Sequence, residues 1–127
     1  MKTETSAPIL LVAARWQTRA LLAAQIGETA GEDVVPAPDV NGALKLIKLA
    51  GVDPALLVVD ADRHLAREDV ERLLEGAPGV PLVLLVSGLR RETFEPLRGR
   101  CAAYLVRPVT VGAVARTVSR VLSGRNA

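Results

Sequence analysis

Short apolar runs with no polar alternation limit what this chain can fold into more than any other feature of its sequence. Ile9–Ala14, Ala55–Val59, Pro81–Val86 and Ala102–Val106 are rich in Val and Leu, and a weaker run, Asp33–Ala37, holds Val34 and Val35. Alternation marks a strand with one wet face, whereas unbroken apolarity over so few residues marks a strand covered on both. Pro36 cannot donate to a ladder, which places the weaker strand at an edge or a strand end. The segments between the runs carry the helical period. Leu21, Leu22 and Ile26 follow the first run; Val40, Leu44 and Ile47 lie between Asp39 as N-cap and Gly51 as stop. Val70, Leu73 and Leu74 precede Gly76. Val111, Val114, Ala115, Val118, Val121 and Leu122 form one stripe, with Thr110 to cap its start and Gly124 its end, while Arg116, Ser119 and Arg120 fall off it. Arg90–Leu97 predicts a fourth helix that Pro96 disturbs.

Buried strands alternating with amphipathic helices predict a parallel sheet joined by right-handed crossovers. The fold class is therefore a flavodoxin-like (βα)5 three-layer α/β sandwich on a five-stranded parallel sheet. At 127 residues the chain predicts one domain, 1–127, with an ordered core from about 8 to 123 and loose ends at Met1–Ser6 and Arg125–Ala127.

Composition removes several function classes. Cys101 is the single cysteine and His64 the single histidine, so neither a disulfide framework nor a His/Cys metal cage can form. Aromatic residues make up 2% and the net charge is +2, which argues against nucleic acid. The apolar runs, such as Ala7–Ala14 and Val80–Val86, fall far short of the ~20 residues a membrane-spanning helix needs. The Lys2 to Ala14 stretch imitates a signal peptide only loosely, since Glu4, Arg15 and Trp16 interrupt its pattern. A cytoplasmic protein is expected. The turn Ala13–Thr18 has no glycine to cradle a phosphate, and Ser87 lacks a nucleophile elbow.

In sheets of this type the functional crevice lies at the carboxyl ends of the strands. The residues there are Ala13, Ala14 and Arg15; Asp60, Asp62 and His64; Ser87 and Gly88; and Arg107 and Pro108. One acid, one hydroxyl and one cation converge on a single rim. His64 reads as solvated and Cys101 as an inert core thiol.

With Leu56-Leu-Val-Val-Asp60, Leu84-Leu-Val-Ser87-Gly and Tyr104-Leu-Val-Arg107-Pro108 in this order, the chain resembles the receiver domain of bacterial two-component response regulators from about Ile9 to Leu122. The resemblance implies that Asp60 stands at the position that accepts a phosphoryl group from a histidine kinase. It implies that Ser87 binds phosphoryl oxygens, and that Tyr104 is the ring that swings inward on activation. An aspartate attacks an anionic phosphate poorly until Mg²⁺ neutralises charge and aligns the groups, and Mg²⁺ needs hard oxygens.

Two departures from that pattern bear on function. The acidic pair that would hold Mg²⁺ falls on Ala13 and Ala14, and the phosphoryl-pairing lysine falls on Arg107, a planar fork suited to carboxylates. With Arg15 following the alanines, the rim has turned from acidic to basic. The expectation is an atypical receiver, not an enzyme and without a cofactor, in which Asp60 pairs with Arg107 or Arg15 instead of Mg²⁺. Two alternatives stand beside it: an ordinary phospho-accepting receiver with Mg²⁺, and a small haloacid-dehalogenase-like phosphatase using Asp60 and Asp62. Arg90, Arg91, Arg98, Arg100, Arg116 and Arg120 are the expected interaction face, for a kinase, an output protein or a second copy joined through the fourth and fifth helices. The stretch from Ser87 to Arg107 is about two residues shorter than the resemblance implies, and the fourth helix is expected to be short.

Overall fold

A computed structural model of the chain describes residues 7–62 and 64–126. Met1–Ser6 and Ala127, expected to be loose ends, lie outside them. The strands are β1 (Ile9–Val12), β2 (Val34–Ala37), β3 (Leu56–Ala61), β4 (Leu82–Val86) and β5 (Ala103–Val106). They pair in parallel in the order β2-β1-β3-β4-β5. The helices are α1 (Trp16–Ala30), α2 (Val40–Lys48), α3 (Arg67–Gly76), a short α4 (Arg91–Phe94) and α5 (Val111–Asn126). This is the flavodoxin-like (βα)5 sandwich that the alternation of runs predicts.

Strand parity divides the core in two. Ile9, Leu11, Leu56, Val58, Val83 and Leu85 face α1 and α5, where Leu22, Ile26, Val114 and Val118 meet them. Leu10, Val12, Leu57, Val59, Leu82 and Leu84 face the opposite layer of Val40, Leu44, Val70, Leu73, Phe94 and Leu97. Both faces of the central strands are dry, which is why their sequences show no alternation. β2 is the edge, and Pro36 sits within it, exposed and paired with Leu11, where its missing N–H faces no further strand.

Several local expectations need correction. The fourth helix is short, as expected, but the Arg90–Leu97 stretch is not one helix: a 3-10 turn (Gly88–Arg90) precedes the single turn of α4 and a second 3-10 turn (Glu95–Arg100) follows it. Pro96 falls at the start of that second turn, where a missing N–H costs nothing, and Phe94 and Leu97 anchor the segment in the core. α5 runs through Gly124 to Asn126 instead of stopping there; glycine's penalty in a helix is only about 1 kcal/mol. α2 ends at Lys48 with Leu49 as C-cap, so Gly51 serves the following turn at φ +73°. Leu21 is exposed; the core side of α1 is Leu22 and Ile26. The capping expectations agree with the structure: Asp39 Oδ1 accepts from the Gly42 N–H at 2.7 Å, and Thr110 Oγ1 accepts from the Ala113 N–H at 3.0 Å.

Candidate functional site

Asp60 lies inside β3, one residue before its end, and not just beyond the strand as the apolar run implies. Its parity with Leu56 and Val58 turns it towards the α1/α5 face, and its register partner on β4 is Leu85, which in turn pairs with Leu105 on β5. Ser87 and Arg107 each stand two residues past those partners, so the three groups share one face of the sheet at one end. β3 and β5 are two strand spacings apart, roughly 10 Å, a gap that only a long side chain can cross. Arg107 crosses it. Its Nη1 donates to Asp60 Oδ1 at 2.5 Å, and its backbone N–H donates to Val86 O at 2.8 Å, extending the ladder past β5. The carboxylate is 6% exposed and the guanidinium 34%. A buried carboxylate is costly to leave unpaired, and a guanidinium is the cation whose donors fit it best.

Of the two partners expected for Asp60, the structure selects Arg107. Arg15, in the turn before α1, stays exposed and lines the cavity beside Asp60. Two further arginines close on backbone oxygens of the rim. Arg90 Nη1 donates to Asp62 O at 2.6 Å, its guanidinium lying 5.1 Å from the centroid of the Phe94 ring. Arg19 Nη1 donates to Ala13 O at 2.8 Å and to Ala14 O at 3.3 Å. The sequence reading put Arg90 on an outer interaction face; it belongs at least as much to the rim. It missed Arg19 altogether, although the four-residue step from Arg15 along α1 is a signal that could have found it.

The positions of the missing acids now have definite surroundings. Ala13 is wholly buried, whereas Ala14 is exposed and lines a small cavity of about 140 Å³ with Asp39, Asp60, Asp62 and Asp69. Among the described residues no three His, Cys, Asp or Glu side chains are grouped to hold a metal ion. Asp60 Oδ1 and the carbonyls of Ala13, Ala14 and Asp62 all accept arginine donors already. A divalent cation does not fit this rim: two methyl groups stand at Ala13 and Ala14, Asp60 is paired with a guanidinium, and Asp62 Oδ1 accepts from the His64 backbone N–H.

The other expected residues are placed as follows. Ser87 is half-buried, and its Oγ accepts from the Leu89 N–H at 3.1 Å, capping the 3-10 turn. Tyr104 is half-buried; its hydroxyl donates to Arg91 O at 3.2 Å and its ring lies 5.1 Å from the Arg98 guanidinium. Burial raises the Tyr104 phenol above its ordinary value. His64 is exposed, and its N–H donates to Asp62 Oδ1 at 2.9 Å. Arg91, Arg98, Arg100, Arg116 and Arg120 are all exposed. Cys101 is half-buried and donates to Leu97 O at 3.2 Å; burial pushes its thiol up to about 11.

No family model matches the chain, and no curated protein matches it. Solved structures do. A response regulator receiver domain protein from Clostridium thermocellum superposes with a TM-score of 0.77 over 94% of this chain and 97% of its own, at 13% identity. The receiver domain of Francisella response regulator 1452 gives 0.75 over 94% and 99%, at 19% identity. A structure described as adenylate cyclase from Rhodopirellula baltica gives 0.75 over 95% and 93%, at 16% identity. The chain has the receiver fold. At such identity the likeness resides in the arrangement of strands and helices, and within that receiver fold Asp60, Ser87 and Arg107 occupy the rim described above. No helix among the described residues is long and apolar enough to cross a membrane.

Proposed function

We propose that this chain is an atypical response-regulator receiver domain that signals through protein–protein contact without Mg²⁺-dependent phosphorylation of Asp60. The observation that carries this reading is the pairing of the buried Asp60 carboxylate with Arg107, beside two alanines that cannot bind a cation. A carboxylate already paired with a guanidinium, beside alanines where a metal would need acids, is poorly suited to phosphoryl transfer. The same pair bridges β3 to β5 and stabilises one arrangement of the rim. In this reading the domain is not an enzyme and works in the cytoplasm. Its partner is a histidine kinase, an output protein or a second copy, and the exposed Arg91, Arg98, Arg100, Arg116 and Arg120 favour an acidic surface on it.

The test is incubation with Mg²⁺ and acetyl phosphate, followed by intact mass measurement and Trp16 fluorescence. The expected result is no phosphoryl adduct and no saturable fluorescence change. An adduct that disappears in Asp60→Asn would instead establish the ordinary phospho-accepting reading, which the shared face of Asp60 and Ser87 favours.

A further inference from the structure

We propose that the basic side of the rim is a non-covalent binding pocket for a small organic anion with a carboxylate or phosphate head and an apolar body. The proposal rests on Asp60 acting as the partner of Arg107 and not as a phosphate acceptor. Asp60 separates two cavities: the small acidic one described above and a larger one of about 640 Å³, lined by Arg15, Thr18, Ser87, Leu89, Arg90 and Arg107 among others. That volume falls in the range of small-molecule sites, roughly 300–1,000 Å³.

Hydrogen-bond accounting identifies what the larger cavity lacks. Each guanidinium has five N–H donors. Arg107 has one engaged by Asp60 and Arg90 one by Asp62 O, while the Arg15 guanidinium and the Thr18 hydroxyl have no partner among the described residues. Ser87 Oγ accepts from Leu89, which leaves its proton to donate. On the acceptor side, Asp60 Oδ1 is taken by Arg107, and Asp62 has both its carbonyl and its Oδ1 in use. Donors exceed acceptors, and three guanidinium groups outnumber the two carboxylates in the lining. The complement is a compact group rich in acceptors and negatively charged, which an arginine fork binds by paired hydrogen bonds. An apolar body is called for by Leu89, 99% exposed on the lining; Trp16, 65% exposed, follows Arg15 in the chain without lining the cavity itself. A large apolar side chain left in water on the lining of a charged cavity is what such a body would cover.

The test uses Mg²⁺-free buffer and four probes: benzoate, phenyl phosphate, inorganic phosphate and neutral benzyl alcohol. Binding is read by calorimetry and by the fluorescence of Trp16, the only tryptophan. Saturable binding of benzoate or phenyl phosphate is expected, tighter than inorganic phosphate, with none for benzyl alcohol; the better of the two assigns the head group. Arg15→Gln and Arg90→Gln should each weaken it about tenfold or more, the worth of one charge-assisted hydrogen bond. Lys48→Ala, at an exposed position on α2, should leave it unchanged. Arg15 is exposed and only its backbone carbonyl, which accepts from the Arg19 N–H, serves the fold, so its variant stays informative should Arg90→Gln fail to fold. Absence of saturable binding by both aromatic anions, or affinity indifferent to Arg15→Gln, would overturn the pocket; inorganic phosphate binding as tightly as phenyl phosphate would overturn the apolar body. Benzoate has no phosphoryl group to transfer, so these results are separate from the acetyl phosphate result, which tests the reading of Asp60.

Discussion

Arg107→Ala removes the only side-chain hydrogen-bond partner that Asp60 has among the described residues and leaves its 6% exposed side chain without a paired cation. Breaking a fully buried ion pair from one side costs about 3–5 kcal/mol. Here the guanidinium is 34% exposed and Asp60 adjoins two cavities that admit water, so solvent screening reduces the cost to about 1–2 kcal/mol. An unfolding entropy of about 2.1 cal/mol/K per residue makes 1 kcal/mol worth roughly 4 °C in a domain of this size. Arg107→Ala should therefore lower Tm by about 4–8 °C in calorimetry. Asp60→Ala should cost less, under ~1 kcal/mol, because the freed guanidinium can turn to water whereas the freed carboxylate cannot. The double variant closes the cycle, with a coupling of about 1 kcal/mol or more. Equal costs for the two single variants, or no coupling, would refute the view that this pair compensates a buried charge.

Four further outcomes follow from the geometry. Phe94→Ala empties a fully buried site beneath the broken fourth helix and should cost about 3–5 kcal/mol by denaturant titration, with Phe94→Leu far milder. Ala13→Asp buries an unpaired carboxylate at a wholly buried position and should destabilise strongly, whereas Ala14→Asp, at an exposed position, should leave Tm nearly unchanged. Cys101 should resist iodoacetamide at pH 8 in the folded protein and react readily in urea; burial favours its neutral form, so its stabilising contribution holds below its ordinary value of 9.0 and fades as pH rises towards 11. The Arg72 hydrogen bond, then the Ala66 N–H, hold the Asp69 carboxyl below its ordinary value of 3.8, so the stability it adds is present above that value and lost as pH falls through the lowered one. The Tm difference between the native chain and Asp69→Asn should accordingly shrink between pH 6 and pH 3.

The layered fold was legible in the sequence because a strand dry on both faces leaves an unbroken apolar run, and an amphipathic helix leaves a stripe. Asp60, Ser87 and Arg107 were legible as well, since each follows or ends such a run. The loss of the metal-binding acids needed no structure at all: a methyl group at Ala13 or Ala14 cannot ligate a cation wherever it points. Helix ends were less legible, because Gly51 and Gly124 signal a stop that neighbouring packing can move or override.

Which arginine reaches Asp60 was decided only in three dimensions. Arg15 and Arg107 were equal candidates in the sequence; strand order put β4 between β3 and β5, and parity put Arg107 on the same face as Asp60. The partnerships of Arg90 with Asp62 O and of Arg19 with Ala13 O were likewise invisible, because the acceptors are backbone carbonyls that every residue carries. Residue types determine which charges exist, but the sheet determines which of them meet, since long flexible side chains choose partners by distance across the strands and not along the chain.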